Sequence, residues 1–177
     1  MVLETDRIYA IGTAAEDTAI KAFLPNEGAA INWASATGWT KQTFEFNEDP
    51  FEFNKADQQR LNVKAPASPT KTKVIRNNVA IDTLVFTSYE IGAKVLALCT
   101  NASEGSGGEW TFSTTHTRKA LAIEYYGVAC VWFPSVEIEA DVPVGAAWQL
   151  STQTVMIDVF GTDSYPTGYA IFDYVAA

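Results

Sequence analysis

Between Lys119 and Val142 the chain offers strand after strand, and that run limits the fold more than any other feature. Lys119–Tyr125 and Val128–Phe133 are two apolar runs separated by Tyr126-Gly127, which reads as a tight hairpin. Pro134 closes the second run. Val136–Val142 then alternates: Val136, Ile138, Ala140 and Val142 share one face of a strand, and Glu137, Glu139 and Asp141 share the other. Successive carboxylates on such a face stand about 7 Å apart and repel one another.

The same grammar recurs elsewhere. Arg7–Ile11 reads as a first strand, and Thr40–Phe46 alternates, with Phe51 and Phe53 repeating the pattern after a break at Asp49-Pro50. Val79–Phe86, Gln149–Phe160 and Ala170–Val175 complete the set. One helix is expected, over about residues 88–99, from capping-box spacing of Thr87 and Glu90 followed by Ile91, Val95 and Leu98. Two segments read as loops: a long one, about residues 54–74, and the Gly/Ser tract Asn101–Gly108. The expected fold is therefore mainly β: a β-sandwich or partly rolled barrel with one flanking α-helix and a long loop. With 177 residues, 47% of them hydrophobic, residues 1–177 are expected to form a single domain with a real core.

Charge is distributed unevenly. After Lys119 there is no Lys or Arg, while seven acids follow, from Glu124 to Asp173. Residues 55–76 hold six basic residues (Lys55, Arg60, Lys64, Lys71, Lys73, Arg76) and one acid, Asp57. That segment is +5 in a chain of net charge −9, leaving −14 for the rest. Such asymmetry suggests a surface that meets a partner of opposite sign. The basic segment has no aromatic residue for base stacking, and the molecule as a whole repels DNA, so a neighbouring acidic subunit is the better match.

No catalytic constellation emerges. Nucleophilic catalysis wants a base beside a Ser or Cys, and the one histidine, His116, lies in a polar stretch and is expected at the surface. The GSGG run at 105–108 lacks the Lys-Ser/Thr of a phosphate loop. Cys99 and Cys130 sit in apolar surroundings and read as buried thiols, and no spacing supports a metal site or implies a cofactor. The start MVLETDRIYAIG has no basic region followed by an apolar stretch, and no apolar run is long enough to span a bilayer, so folding in a cytoplasm without membrane insertion is expected. For the acidic row itself, an acid/base pair, a calcium site, a solvated strand face and a charged wall built by assembly all stay open.

The order of these features resembles the bacteriophage major tail tube protein family. RIYAIG resembles its opening strand, INWASATGWTKQTFEFN the segment before its long loop, and FEFNKADQQRLNVKAPAS that loop. VAIDTLVFTSYEIGAKVLAL is similar to its strand-then-helix, and RKALAIEYYGVACVWFP, VEIEADVPV and WQLSTQTVMIDVFGT to its closing hairpin and last long strand. The resemblance implies a structural virion protein made in the host cytoplasm, without enzymatic activity or cofactor. Six-subunit rings (homohexamers) would stack head to tail into a tail tube. The lumen would carry a tape-measure protein and then the transiting DNA during genome ejection, and the tube ends would meet tail terminator and baseplate or tip proteins. Glu137, Glu139 and Asp141 are then candidates for the lumen wall, and Lys55, Asp57, Arg60, Lys64, Lys71 and Lys73 for contacts between rings. The competing reading is a β-sandwich binding module, such as a carbohydrate-binding or capsid decoration protein, with Trp33, Trp39, Trp110, Trp132 and Trp148 as stacking platforms.

Overall fold

The computed structural model describes residues 9–19, 31–42, 46–55, 59–65, 68–77, 81–88, 93–125, 129–141 and 153–173. In chain order the elements are β1 (Tyr9–Ala15), β2 (Thr40–Gln42), β3 (Phe46–Asn54), β4 (Gln59–Ala65), β5 (Ser68–Asn77) and β6 (Asp82–Ser88). Then come α1 (Ala93–Leu98), β7 (Ala102–Glu104), β8 (Trp110–Phe112), β9 (Lys119–Tyr125), β10 (Ala129–Ala140), β11 (Gln153–Val159) and β12 (Ala170–Asp173). Eight strands form one antiparallel sheet in the order β2-β1-β9-β10-β11-β6-β3, with β12 paired to β10 off that path. β4–β5 and β7–β8 are separate two-stranded sheets. The protein is mainly β, a sandwich-like roll with one short helix and no closed barrel among the described residues.

The roll follows from β10. Its first half pairs with β9 on one edge and β12 on the other, through Ala129–Trp132. Its second half, Val136–Ala140, pairs with β11. Between the halves the β9 register shifts from Phe133 to Val136, a bulge occupied by Pro134 and Ser135. Proline has no N–H, and at this bulge none is used: the Pro134 carbonyl accepts from Asp17 N at 2.6 Å and the Ser135 carbonyl from Phe160 N at 3.0 Å. Asp17 reaches that carbonyl from a left-handed turn (φ 56°), a conformation aspartate tolerates. Pro134 therefore bends the strand instead of ending it, contrary to the sequence reading.

Bending brings both ends of the sheet over one core. Ile11, Leu121, Ile123 and Phe133 from the first half meet Leu84, Phe86, Ile138, Val155 and Ile157 from the second, and Val95 and Leu98 of α1 belong to the same cluster. The ring of Phe51 on β3 lies 6.2 Å from that of Tyr125 on β9, although three strands separate them in the sheet. These side chains are the alternate ones on their strands, so alternation in sequence becomes alternation of faces.

The opposite face of β1, β9 and β10 carries small residues, Ala14, Ala120 and Ala122, beside Cys130 and Trp132. Residues 31–39 lie over it as a lid, with Ile31, Ala36 and Trp39 buried. Glu124, wholly buried, holds the lid: it accepts from Ile31 N at 2.6 Å and from Trp33 Nε1 at 2.8 Å. Burying a carboxylate is tolerable only with such donors. A Cβ on Gly12 would run into the Trp33 indole ring.

Several boundaries differ from expectation. β1 runs to Ala15, beyond the expected Ile11. β3 passes through Asp49-Pro50, because it is an edge strand with a register irregularity between Phe46 and Phe51 and an edge accommodates proline. The helix expected over about residues 88–99 is described over Ala93–Leu98; Thr87 is not its cap, since Thr87 and Ser88 pair with Thr154 and Gln153 as the end of β6, and residues 89–92, with the expected cap partner Glu90, lie outside the described residues. The expected long loop at about 54–74 is largely the hairpin β4–β5, and the Gly/Ser tract folds as β7–β8 around a turn at Gly105–Gly108. Both hairpins pair with no other described strand, so neither had to show the alternation of a shared sheet.

Gly12→Val is expected to lower stability by about 1–3 kcal/mol through overpacking against Trp33. Urea denaturation measures it, and in a Trp33→Ala background the loss should shrink.

Candidate functional site: the acidic face of β10 and β11

The outward rows of the second half-sheet can be read from its registers. Glu137 lies opposite Asp158, which lies opposite Thr83, which lies opposite Asn54. The next row is Glu139, Met156, Val85 and Glu52. The row between them, Ile138, Ile157 and Leu84, is buried. One face is thus core, and the other carries carboxylates from β10, β11 and β3. None of the four strands β3, β6, β10 and β11 contains a Lys or Arg. Asp141, exposed just beyond β10, continues the edge, with its N–H donating to Thr154 O at 3.1 Å.

The three acids singled out in the sequence are therefore on one outward face, but they are not alike. Glu137 is half-buried and accepts from Arg118 Nε at 3.0 Å. Glu139 is 50% exposed and pairs with His116 Nε2 at 3.0 Å. The guanidinium of Arg118 also lies 3.9 Å from Glu16 Oε1 and 4.0 Å above the Phe160 ring. Glu16 in turn accepts from Ser135 Oγ at 2.7 Å. Asp158, opposite Glu137, has its carboxyl pushed above the ordinary 3.8 by burial, then by Glu137 and Glu139, with His116 pulling the other way.

His116 is not the surface residue expected; its side chain is 15% exposed. Its Nδ1 is 2.8 Å from Thr100 Oγ1. Thr100 continues the ladder along β10 where β9 has ended: its N–H donates to Ile138 O at 2.8 Å and its Oγ1 accepts from Ile138 N at 2.9 Å. Hydroxyl, imidazole and carboxylate thus stand in line, as they do where a nucleophile is activated. Here the buried hydroxyl is occupied by the Ile138 backbone, and the line is a brace. Lys119, the last cation of the chain, donates to Leu98 O at 3.2 Å and Ala97 O at 3.4 Å, the carbonyl end of α1. Burial lowers its pKa, while burial pushes Cys99 up to about 11 and Cys130 to about 12, so both thiols stay protonated at neutral pH.

Of the basic candidates, Arg60 and Lys64 fall on β4 and Lys71 and Lys73 on β5, with Lys55 exposed just after β3. Arg60 is opposite Arg76, and Lys73 opposite Val63. Asp57 lies outside the described residues. The sequence reading missed Arg118, His116, Glu16 and Asp158. The signal for the first two was their place as nearly the last cationic groups before an all-acidic stretch. Among the described residues no cluster of metal-ligating side chains could hold an ion, and no helix is long and apolar enough to cross a membrane. A scan against protein-family models found no match, and a search of curated proteins found no relative.

Because Asp158 has a raised carboxyl pKa, its contribution to stability is full below the unfolded value and is lost as pH rises through the folded one. Asp158→Asn is therefore expected to stabilise the protein at pH 7, by a few tenths to about 1 kcal/mol for a like-charge cross-strand pair. The gain should fade as pH drops toward the carboxylate range, as thermal melts across pH would show.

Proposed function

We propose that this chain is a structural virion protein, a tail tube protomer that assembles into six-membered rings stacked head to tail. The observation that carries the reading is the acidic sheet face, built on four neighbouring strands without a single Lys or Arg, in a subunit that also has a basic hairpin outside its main sheet. Head-to-tail assembly needs two different, complementary surfaces on one subunit. A lone two-stranded hairpin is marginal in water, and an anionic neighbour suits β4–β5, whose two strands both carry basic residues in their sequence. In this reading β4–β5 makes the contact between rings, and Glu52, Glu137, Glu139, Asp141 and Asp158 line the lumen.

The acidic wall suits passage of DNA. Duplex DNA carries one charge per about 1.7 Å, so a basic wall would grip it. With screening over about 8–10 Å, an acidic wall holds the duplex off without closing the passage. The function needs no catalysis and no cofactor; the partners are other copies of the chain, a tape-measure protein, the genome, and proteins at the tube ends. A carbohydrate-stacking role for the tryptophans is weakened by the burial of Trp39 and Trp132 in the core.

Negative-stain microscopy of the purified protein is expected to show six-fold rings or tubes. Arg60→Glu, Lys64→Glu, Lys71→Glu and Lys73→Glu together should abolish stacking. Glu52→Lys with Met156→Lys adds charge to the wall while sparing the partners of Arg118 and His116; tubes should form and genome ejection should slow. Dispersed monomers in the wild type, or unchanged ejection in the wall variant, would overturn the reading.

A further inference from the structure

Residues 113–118 run between β8 and β9 without regular structure, yet they are fastened at several points. Ser113 N donates to Asn101 O at 2.8 Å and Thr117 N to Thr100 O at 3.0 Å. The side chains of His116 and Arg118 reach the acidic face as described above. The backbone bonds and the Arg118 pair are present at any pH near neutral. The His116 pair with Glu139 is an ion pair only when the imidazole is protonated.

We propose that residues 113–118 form a proton-tightened strap, in which uptake of a proton by His116 clamps the segment onto the β10–β11 face. The surroundings of the ring accept both of its charge states without moving a heavy atom. In the neutral form Nε2–H donates to Glu139 Oε1, and Nδ1 accepts the hydroxyl proton of Thr100 at 2.8 Å. In the charged form both ring nitrogens donate. The Thr100 hydroxyl then turns its proton to Ile138 O, 3.2 Å away, and still accepts from Ile138 N. A second acceptor stands ready for the displaced proton, so charging the ring breaks nothing.

Acids outnumber cations around the ring. Glu139 and Glu137 on β10, Asp158 on β11, Asp141 beyond β10 and Glu16 after β1 oppose Arg118 on the strap and Lys119 at the start of β9. The raised Asp158 carboxyl reports the same crowding, and His116 is the group that relieves it. Cys99, protonated at these pH values, adds no charge. One proton thus turns a neutral brace into an ionic one and reduces the repulsion between Glu139 and Asp158. This holds whatever the acidic face meets, and so does not depend on the proposed assembly.

His116 is the only histidine in the chain, which makes the test direct. Amide hydrogen exchange of Ser113 and Thr117, corrected for intrinsic rates, should slow about two- to fivefold between pH 8 and pH 6, the range expected of a partly exposed ion pair. His116→Gln keeps a donor toward Glu139 but cannot charge, and should abolish the change. Glu139→Gln keeps the hydrogen bond without the negative charge, and should diminish it. Equal protection at the two pH values in the wild type, or a full gain surviving in either variant, would overturn the proposal.

Discussion

β10 hydrogen-bonds with β9 along one edge and divides its other edge between β12 and β11. Everything else hangs on that division. Because the handover falls at Pro134-Ser135, where the strand is bulged and one residue cannot donate, the sheet turns there and closes over its own apolar face. The side chains on the two sides of the bend belong to one core, so the bend and the core specify each other. The same geometry decides what stays outside. Residues odd-numbered along Val136–Ala140 must face away from Ile157 and Leu84, and in this chain they are glutamates.

The consequence is a concentration of like charge that the strands themselves do not balance. The counter-charges come from the turn into β9: Arg118 grips Glu137 and stacks on Phe160, His116 meets Glu139, and Lys119 turns the other way to close α1. Exposed pairs of this sort contribute little individually. Their value here is placement, since Arg118 links β1, β9 and β10 through Glu16 and Glu137. Asp158, which the Arg118 and His116 pairs leave without a cation of its own among the described salt bridges, carries the residual tension.

What could be read from sequence was what alternation encodes. Val136, Ile138 and Ala140 against Glu137 and Glu139 predicted two faces, and the structure has them. The β9–β10 pairing was legible for a different reason, two apolar runs set close together in the chain; the turn expected at Tyr126-Gly127 lies outside the described residues. What alternation does not encode was misread: Pro134 and Pro50 as stops, β4–β5 and β7–β8 as loops, Thr87 as a helix cap. For the prolines and the two hairpins, a bulge, an edge or a free-standing pair of strands removed the requirement that the local pattern obey, whereas Thr87 was taken up by pairing with Thr154 of β11. Glu124 was invisible because its partners, Ile31 and Trp33, lie more than 90 residues away. The brace around His116 was hidden similarly, its members spread over Thr100, Glu139 and Asp158.

The lid over Glu124 carries a further meaning for how the chain is made. Residues 31–39 leave the ribosome long before Glu124 does, and until β9 exists there is no carboxylate to receive the Trp33 indole and no alanine floor for Trp39 to rest on. A contact of such sequence separation is slow to form. During synthesis the lid is therefore an unsheltered, tryptophan-rich segment waiting for its floor, and that interval is when the nascent chain is most exposed to chaperones and to its own neighbours.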